Sequence, residues 1–376
     1  MAGPLRLSSR LVAVFLLAAC SAPAARAPAV APAPPVTAQG NGDWDRVLAA
    51  ARAEGKVSVV IPLGDAYRLG ISAFQRAYPD IQLEASSLHP RDWVPRVQQE
   101  RAASQFLWDV YVGGPDVDVY RLADEGVWEP VKDDLLLAEV VDDSKWRRGF
   151  DDGYSDQGKR YIYNFIKVST SGFCCVNRDL VSESELPDFE GLTDPKWRGK
   201  IVWNEPRQSG SGVNNASIVL YRYGEPTLRQ VFGQDVVVTA DQRQLTEWVV
   251  RGRYPIGIGL IERDLKATFH PEGLGLNVKY LRVPGVVTGT PQSGSVSVIS
   301  KAPHPNARKV FVNWLLSREG QAAVIEQTRE NSRRLDVPIM EPEQVPPAEG
   351  ELLNTQAEDF APIRSRANDI AKEIFK

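Results

Sequence analysis

At 376 residues the chain is longer than one hydrophobic core comfortably fills, which predicts two domains. A formal net charge of −4 gives no bulk reason to expect nucleic-acid binding. Its three Cys and three His form no cluster of the kind a structural zinc needs.

Arg6 and Arg10 precede the apolar run Leu11 to Ala19, too short to span a bilayer and read as a signal peptide over residues 1–19. Leu17-Ala18-Ala19-Cys20 follows directly and resembles a bacterial lipobox, which implies a diacylated Cys20 as the mature first residue. The remainder of 20–42 is mostly Ala and Pro and reads as an extended tether.

Strands and helices then alternate. Asp43 caps a helix carrying Trp44, Val47, Leu48 and Ala51, and Val57 to Ile61 is a core strand. The turn Gly64, Asp65, Tyr67, Arg68 opens a helix with Ile71 and Phe74; Ile81 to Ala85 is a strand, Trp93 to Ala103 a helix, and Trp108 to Val112 a strand ending at Gly113-Gly114. This rhythm predicts βαβ units and a largely parallel sheet. Ligands meet such sheets at the loops beyond the carboxyl ends of the strands, here Pro62 to Arg68, Ser86 to His89 and Gly113 to Asp116. Trp146 to Tyr154 reads as a loop near a domain seam, and Tyr161 to Asn177 as extended segments passing between domains. Within them, Cys174 and Cys175 are expected as two buried thiols on opposite strand faces.

The same rhythm repeats after residue 168. A buried strand, Ile201 to Trp203, runs through Asn204 and Arg207 into Ser209, Gly210, Ser211 and Gly212, where a helix begins. Small side chains and bare backbone at a helix start suit capture of a carboxylate, a phosphate or a liganded metal. Strand candidates follow at 231–239, 254–260, 276–281 and 283–287, with a helix over 242–252 capped by Asp241. Gly259 marks close backbone approach, and Glu262 begins a further helix. Ser293 to Ile299 is a strand; Ala307, Val310, Phe311, Trp314 and Leu315 make the buried stripe of a helix. Arg329, Arg333 and Arg334 cluster beyond it, either as bidentate donors or as a surface ion-pair patch.

Several fragments together resemble the extracellular solute-binding proteins of bacterial ABC importers, in the branch that includes ferric-iron-binding proteins. They are Trp44 to Lys56, Val97 to Gly114, Gly191 to Val202 (GLTDPKWRGKIV), Ser209 to Gly212, Lys301 to Gln321 and Ser332 to Pro338. The resemblance implies an α/β, two-lobed type II periplasmic-binding fold, each lobe a mostly parallel sheet flanked by helices, with a ligand cleft between. Mapped here, lobe 1 is 43–168 plus 291–316 and lobe 2 is 169–290 plus 317–376. It further implies an exported monomer that hands a small solute to an ABC permease, with no cofactor and no catalysis. Consistent with a passive carrier, no GxxxxGK[ST] nucleotide loop is present and His89, His270 and His304 are scattered.

Ferric relatives hold iron with consecutive tyrosines after the strand matching Tyr254 to Leu260; this chain reads Gly259-Leu-Ile-Glu-Arg-Asp-Leu265 instead. The donor-rich loop Ser209 to Gly212 argues instead for a polar, anionic solute, such as an organic acid or phosphorylated compound. Its binding set is Gly64, Asp65, Tyr67, Arg68, Gly113, Gly114, Trp203, Asn204, Arg207, Ser209 to Gly212, Asp241, Gly259, Glu262 and Arg333. Ferric iron with a borrowed anion, a polyamine held by Asp65, Asp241 and Glu262, and a lipoprotein sensing its ligand for a receptor stay open as alternatives.

Overall fold

The computed structural model describes residues 41–170, 172–260, 265–283, 285–346 and 352–376. The leader, Cys20, most of the tether, Glu262 and Asp264 lie outside them. Among the described residues, no helix is long and apolar enough to cross a membrane.

Helix α1 (Asn41–Glu54) buries Val47 and Ala51 and feeds β1 (Lys56–Ile61). After α2 (Asp65–Ile71) and α3 (Ala73–Ala77) come β2 (Gln82–Ser87), α4 (Pro90–Ala102), β3 (Val110–Gly113), α5 (Val117–Arg121), β4 (Trp128–Glu129), α6 (Ala138–Val141) and β5 (Tyr163–Asn164). A crossing pair follows, β6 (Val168–Thr170) and β7 (Gly172–Asn177). Next are β8 (Ile201–Asn204), α7 (Ser211–Phe232), β9 (Val237–Thr239), α8 (Gln242–Val250), β10 (Ile256–Ile258), β11 (Val278–Arg282) and β12 (Thr288–Thr290). The chain ends with β13 (Ser295–Ile299), α9 (Pro305–Leu316), α10 (Arg318–Thr328) and α11 (Ala361–Ile374).

Two main sheets result, one in the order β2-β1-β3-β13-β4 with β5 on β13, the other β11-β7-β10-β8-β9. Each is mixed rather than mostly parallel. In the first, β1 pairs in parallel with β2 and β3, while β13 runs antiparallel to β3, β4 and β5. In the second, β8 is parallel to β9 and β10, while β7 is antiparallel to β10 and β11. The reversed strands include β7 and β13, the two by which the chain enters a lobe from the other one. A βαβ crossover dictates parallel pairing only for strands that it joins directly. The crossings pair with each other as β6 and β12.

One core gathers residues from α1 to β5 with β13, α9 and α10; the other spans residues 174–286 with Ala367, Ile370 and Ala371 of α11. The expected stripe of α9 is buried in full. Helix α10, expected in lobe 2 as part of 317–376, instead packs on α2 and puts Val324 and Ile325 into the first core. Only Ser317 separates α9 from α10, too little chain to change lobes. The aromatics Trp146, Phe150 and Tyr154 belong to that same core rather than to a seam. Val231 and Phe232 finish α7, so the strand expected over 231–239 shrinks to β9, and the one expected over 283–287 forms later as β12. Cys174 and Cys175 are both buried and face two different clusters, as alternation along β7 requires.

Candidate functional site

Between the lobes lies a cavity of about 970 Å³. Lobe 1 lines it with the loops beyond β1, β2 and β3: Pro62 and Leu63, Leu88 to Pro90, and Gly113 to Asp116. These are the carboxyl ends of the parallel strands, where the sheet leaves backbone ends and side chains unpaired with neighbours. Lobe 2 contributes Ser209 to Ser211, Asn214, Gln242 and one face of α11, and the crossings add Thr288, Thr290, Gln292 and Gln356.

The Ser209 to Gly212 loop is shaped by its own lobe. Gly210 caps α7 without a side-chain hydrogen bond, so the first-turn amides of this helix are not served by a capping side chain. Gly212 packs so tightly on β8 that an added Cβ would lie 2.1 Å from the Asn204 carbonyl oxygen. Ser211 Oγ sits 2.9 Å from both Asn204 Oδ1 and the Gly259 carbonyl and accepts a hydrogen bond from Gln242 Nε2 at 2.9 Å. Its hydroxyl therefore fixes the loop, and Ser209 is the residue that reaches out. Ser209 Oγ donates across the cleft to Asp116 Oδ2, whose other oxygen accepts from the Val117 amide at 2.6 Å.

Seven residues expected at a binding site line the cavity: Tyr67, Gly113, Gly114, Arg207, Ser209, Gly210 and Ser211. Tyr67 is buried and donates through its hydroxyl to Glu330 Oε2 at 2.7 Å. Arg207 is already engaged: Nε and Nη2 pair with the Glu205 carboxylate, both at 2.8 Å, and Nη1 donates to the Phe375 carbonyl at 2.8 Å. Two polar residues flanking Pro206 satisfied each other, and Arg207 became a clasp for the end of α11.

The others fall elsewhere. Asp65 and Arg68 form an exposed pair one helical turn apart at 3.3 Å, and Gly64 merely starts α2. Trp203 is fully buried, its Nε1 donating to the Gly212 carbonyl and its ring edge-on to Phe232. Asn204 holds β9 through the Thr239 carbonyl, and Asp241 caps α8 through the Gln244 amide. Gly212 and Gly259 serve close packing; at Gly259, with φ of 90°, a Cβ would lie 2.7 Å from that of Asn204. Arg333 is neither ligand nor surface patch. It is 1 % exposed in lobe 1, donates to the Arg147 and Gly149 carbonyls and lies near the Trp146 and Tyr163 rings. Arg334 is buried beside it, paired with Glu139 and Asp336. Glu262 is outside the described residues.

Two charged cavity residues stand outside the expected binding set, although Asp116 ends the expected ligand-side loop Gly113 to Asp116. Asp116 is half-buried; desolvation raises its pKa, and Arg364 opposes that rise. Arg364, on α11, is 4 % exposed. Its Nη1 donates to the Thr355 and Ala357 carbonyls, while its Nη2 is buried and has no hydrogen-bond partner among the described residues. No motif marks it, since an arginine in a terminal amphipathic helix is ordinarily solvated, as its neighbour Arg366 is. Among the described residues no group of three or more His, Cys, Asp and Glu is disposed to hold a metal ion.

A model of the bacterial extracellular solute-binding protein family matches residues 60–322. The chain belongs to that family. Of the relatives, iron uptake protein A1 of Synechocystis sp. is 24 % identical to this solute-binding protein over 236 residues, 59 % of this chain and 60 % of the relative's length. Iron-bound HitA from Pseudomonas aeruginosa superposes with a TM-score of 0.62 at 17 % identity, over 85 % of this chain and 99 % of that one. AfuA from Actinobacillus pleuropneumoniae, with fructose-6-phosphate bound, gives 0.60 at 18 % identity over 85 % and 99 %. The solute-binding protein thus has the two-lobed α/β fold of periplasmic binding proteins, and its cavity lies between the lobes.

Proposed function

We propose that the protein captures a small anionic solute, an organic acid or a phosphorylated compound, in the inter-lobe cavity and presents it to the permease of an ABC importer. Arg364 carries this reading: a buried guanidinium at the cavity wall with one nitrogen unbonded is a donor in want of an acceptor. The start of α7 at Ser209 to Ser211 supplies amides and a hydroxyl on the same cavity. Cys20 tethers the protein to the membrane through its acyl chains, and the two lobes part and close around the solute.

The similar proteins include an iron-bound one and one holding fructose-6-phosphate, so the fold takes either kind of cargo. The donor set here favours the anion. The two tyrosines on the cavity, Tyr67 and Tyr280, come from different lobes, and Tyr67 is bonded to Glu330. A polyamine loses support because Asp65 pairs with Arg68 on the surface and Asp241 is consumed as a cap.

Native mass spectrometry of protein purified from its source, with metal analysis, tests this. The expected result is a retained anionic mass and no stoichiometric iron. One iron per chain with the violet-red absorbance of tyrosinate coordination would overturn the assignment.

A further inference from the structure

Arg364 is accompanied by groups that a simple anion leaves unserved. Asp116 comes from lobe 1 and Arg364 from α11 of the opposite lobe, and both line the cavity. Each influences the other's ionisation, yet among the described residues no ion pair joins them. Each Asp116 oxygen accepts one hydrogen bond from the protein, from Val117 or from Ser209, and keeps a second lone pair. Gln356 adds a second acceptor. Its Nε2 donates to the Gln292 carbonyl at 3.1 Å, which fixes the amide's orientation, and its Oε1 is buried with no partner among the described residues. The segment holding Thr355 and Gln356, just before α11, ties these groups into one corner. Tyr120 Oη donates to the Gln356 carbonyl, Arg364 donates to the adjacent Thr355 carbonyl, and Gln356 Nε2 lies 3.5 Å from where a Cβ on Gly114 would stand.

One corner therefore presents an unbonded cationic donor, an unbonded amide oxygen and a carboxylate. A solute that is anionic throughout would satisfy the first and set its charge against the third. Asp118 adds a further negative charge near Asp116, and His89 offsets it only when protonated.

We propose that the solute bears a hydrogen-bond donor, a hydroxyl or an ammonium, beside its anionic group. The anion sits on Arg364 and the donor on Asp116 and Gln356. This rests on the anionic reading above and narrows it to donor-bearing anions: hydroxy acids, amino acids and hydroxylated phosphomonoesters. A site built to accept from a ligand hydroxyl or amine discriminates strongly against the analogue lacking it, because its buried acceptors are then stranded.

The test is a thermal-shift and calorimetric panel of carboxylates and phosphomonoesters arranged in pairs that differ by one donor. Pairs include lactate with propionate, alanine with propionate, and 2-hydroxypropyl phosphate with propyl phosphate. In the full mature chain, the donor-bearing member of the bound pair is expected to bind at least about tenfold more tightly. Asp116→Ala and Gln356→Leu should shrink that ratio while keeping affinity for the plain anion, and Arg364→Gln should abolish binding of both members. Circular dichroism confirms that each variant is folded, and Arg364→Lys, which keeps the charge, serves where Arg364→Gln is not. Equal binding of both members, unaltered by Asp116→Ala, overturns the inference and leaves the anionic reading intact. A panel without any stabilising member overturns the anionic reading itself.

Discussion

Burying a guanidinium with an unsatisfied nitrogen costs about 1–3 kcal/mol, so a chain that retains one has a use for it or surrounds it with acceptors. Arg333 and Arg364 exemplify the two outcomes. Arg333 is ringed by the Arg147 and Gly149 carbonyls, the Tyr163 hydroxyl and Asp152. Arg364 has carbonyls on one nitrogen only. Arg333→Ala should therefore lower unfolding free energy by at least about 2 kcal/mol while the folded fraction binds solute normally. Arg364→Gln should do the reverse, losing solute affinity for a smaller stability change. Denaturant titrations with and without solute separate the two; a binding defect confined to Arg333→Ala would invert the assignment. The sequence offered Arg333 because it lies in a cluster with Arg329 and Arg334, and passed over Arg364, which shares the terminal helix with Arg366. Clustering along the chain says nothing about which acceptors the fold will bring to each guanidinium.

At the scale of elements, the turn from β8 into α7 depends on side-chain volume. Strand, loop and helix start were legible in Ile201 to Gly212, as small residues follow a β-branched run and leave the ladder nowhere to continue. What was not legible is that Ser211 faces inward to Asn204, Gly259 and Gln242 while Ser209 faces the other lobe. The approach of α7 to β8 leaves no room for a methyl group at Gly212, where the obstructing atoms are the backbone oxygens of Asn204 and Glu205. Gly212→Ala is expected to destabilise the protein by about 1–3 kcal/mol and to weaken solute binding by displacing the loop. Gly42→Ala, with nothing within 4 Å of the added carbon, should change neither. Melting temperature and calorimetric affinity check both variants, and a Gly212→Ala protein as stable as the parent would contradict the packing described.

Across the whole molecule, the lobes touch on two sides of the cavity. Ser209 meets Asp116 on one side, and on the other Lys266 of lobe 2 pairs with Glu341 at 3.2 Å and Glu343 at 2.8 Å, beside the first core. The hydrogen bond from Lys266 is the main influence drawing the Glu343 carboxyl down to about 2 from its ordinary 4.5. A depressed carboxyl supports the contact above its ordinary pKa and loses that support as pH falls through the lowered value, here between about 4.5 and 2. Asp116 works in the opposite sense. Burial raises its pKa, so its ionised form opposes the folded state at neutral pH and that penalty lifts on acidification. The Lys266 contact should therefore open in acid before the Asp116 side does. Small-angle scattering is expected to show the radius of gyration growing as pH drops through that window, with far-ultraviolet dichroism retained. Lys266→Met should be expanded already at pH 7 and insensitive to acid. A radius equal in both proteins at every pH would show that this bridge does not hold the lobes.

The sequence by itself determined the elements, their alternation and the family. Periodic burial and the positions of Gly and Pro are local properties that a strand or helix must satisfy wherever it packs, and the matching fragments run in order along the chain. It also pointed to the loops beyond β1, β2 and β3, which line the cavity, because parallel strands joined by helices end together. Tertiary structure alone decided which polar side chains reach the cavity. Arg207, Asp241 and Asn204 found partners within their own lobe, and Arg333 found a pocket of carbonyls in the other. Asp116 and Arg364, far apart in the chain, were brought to the same cavity from opposite lobes, Arg364 by the packing of α11 on α7. A polar group's fate depends on the acceptors within about 3 Å of it, and those come from residues distant in sequence.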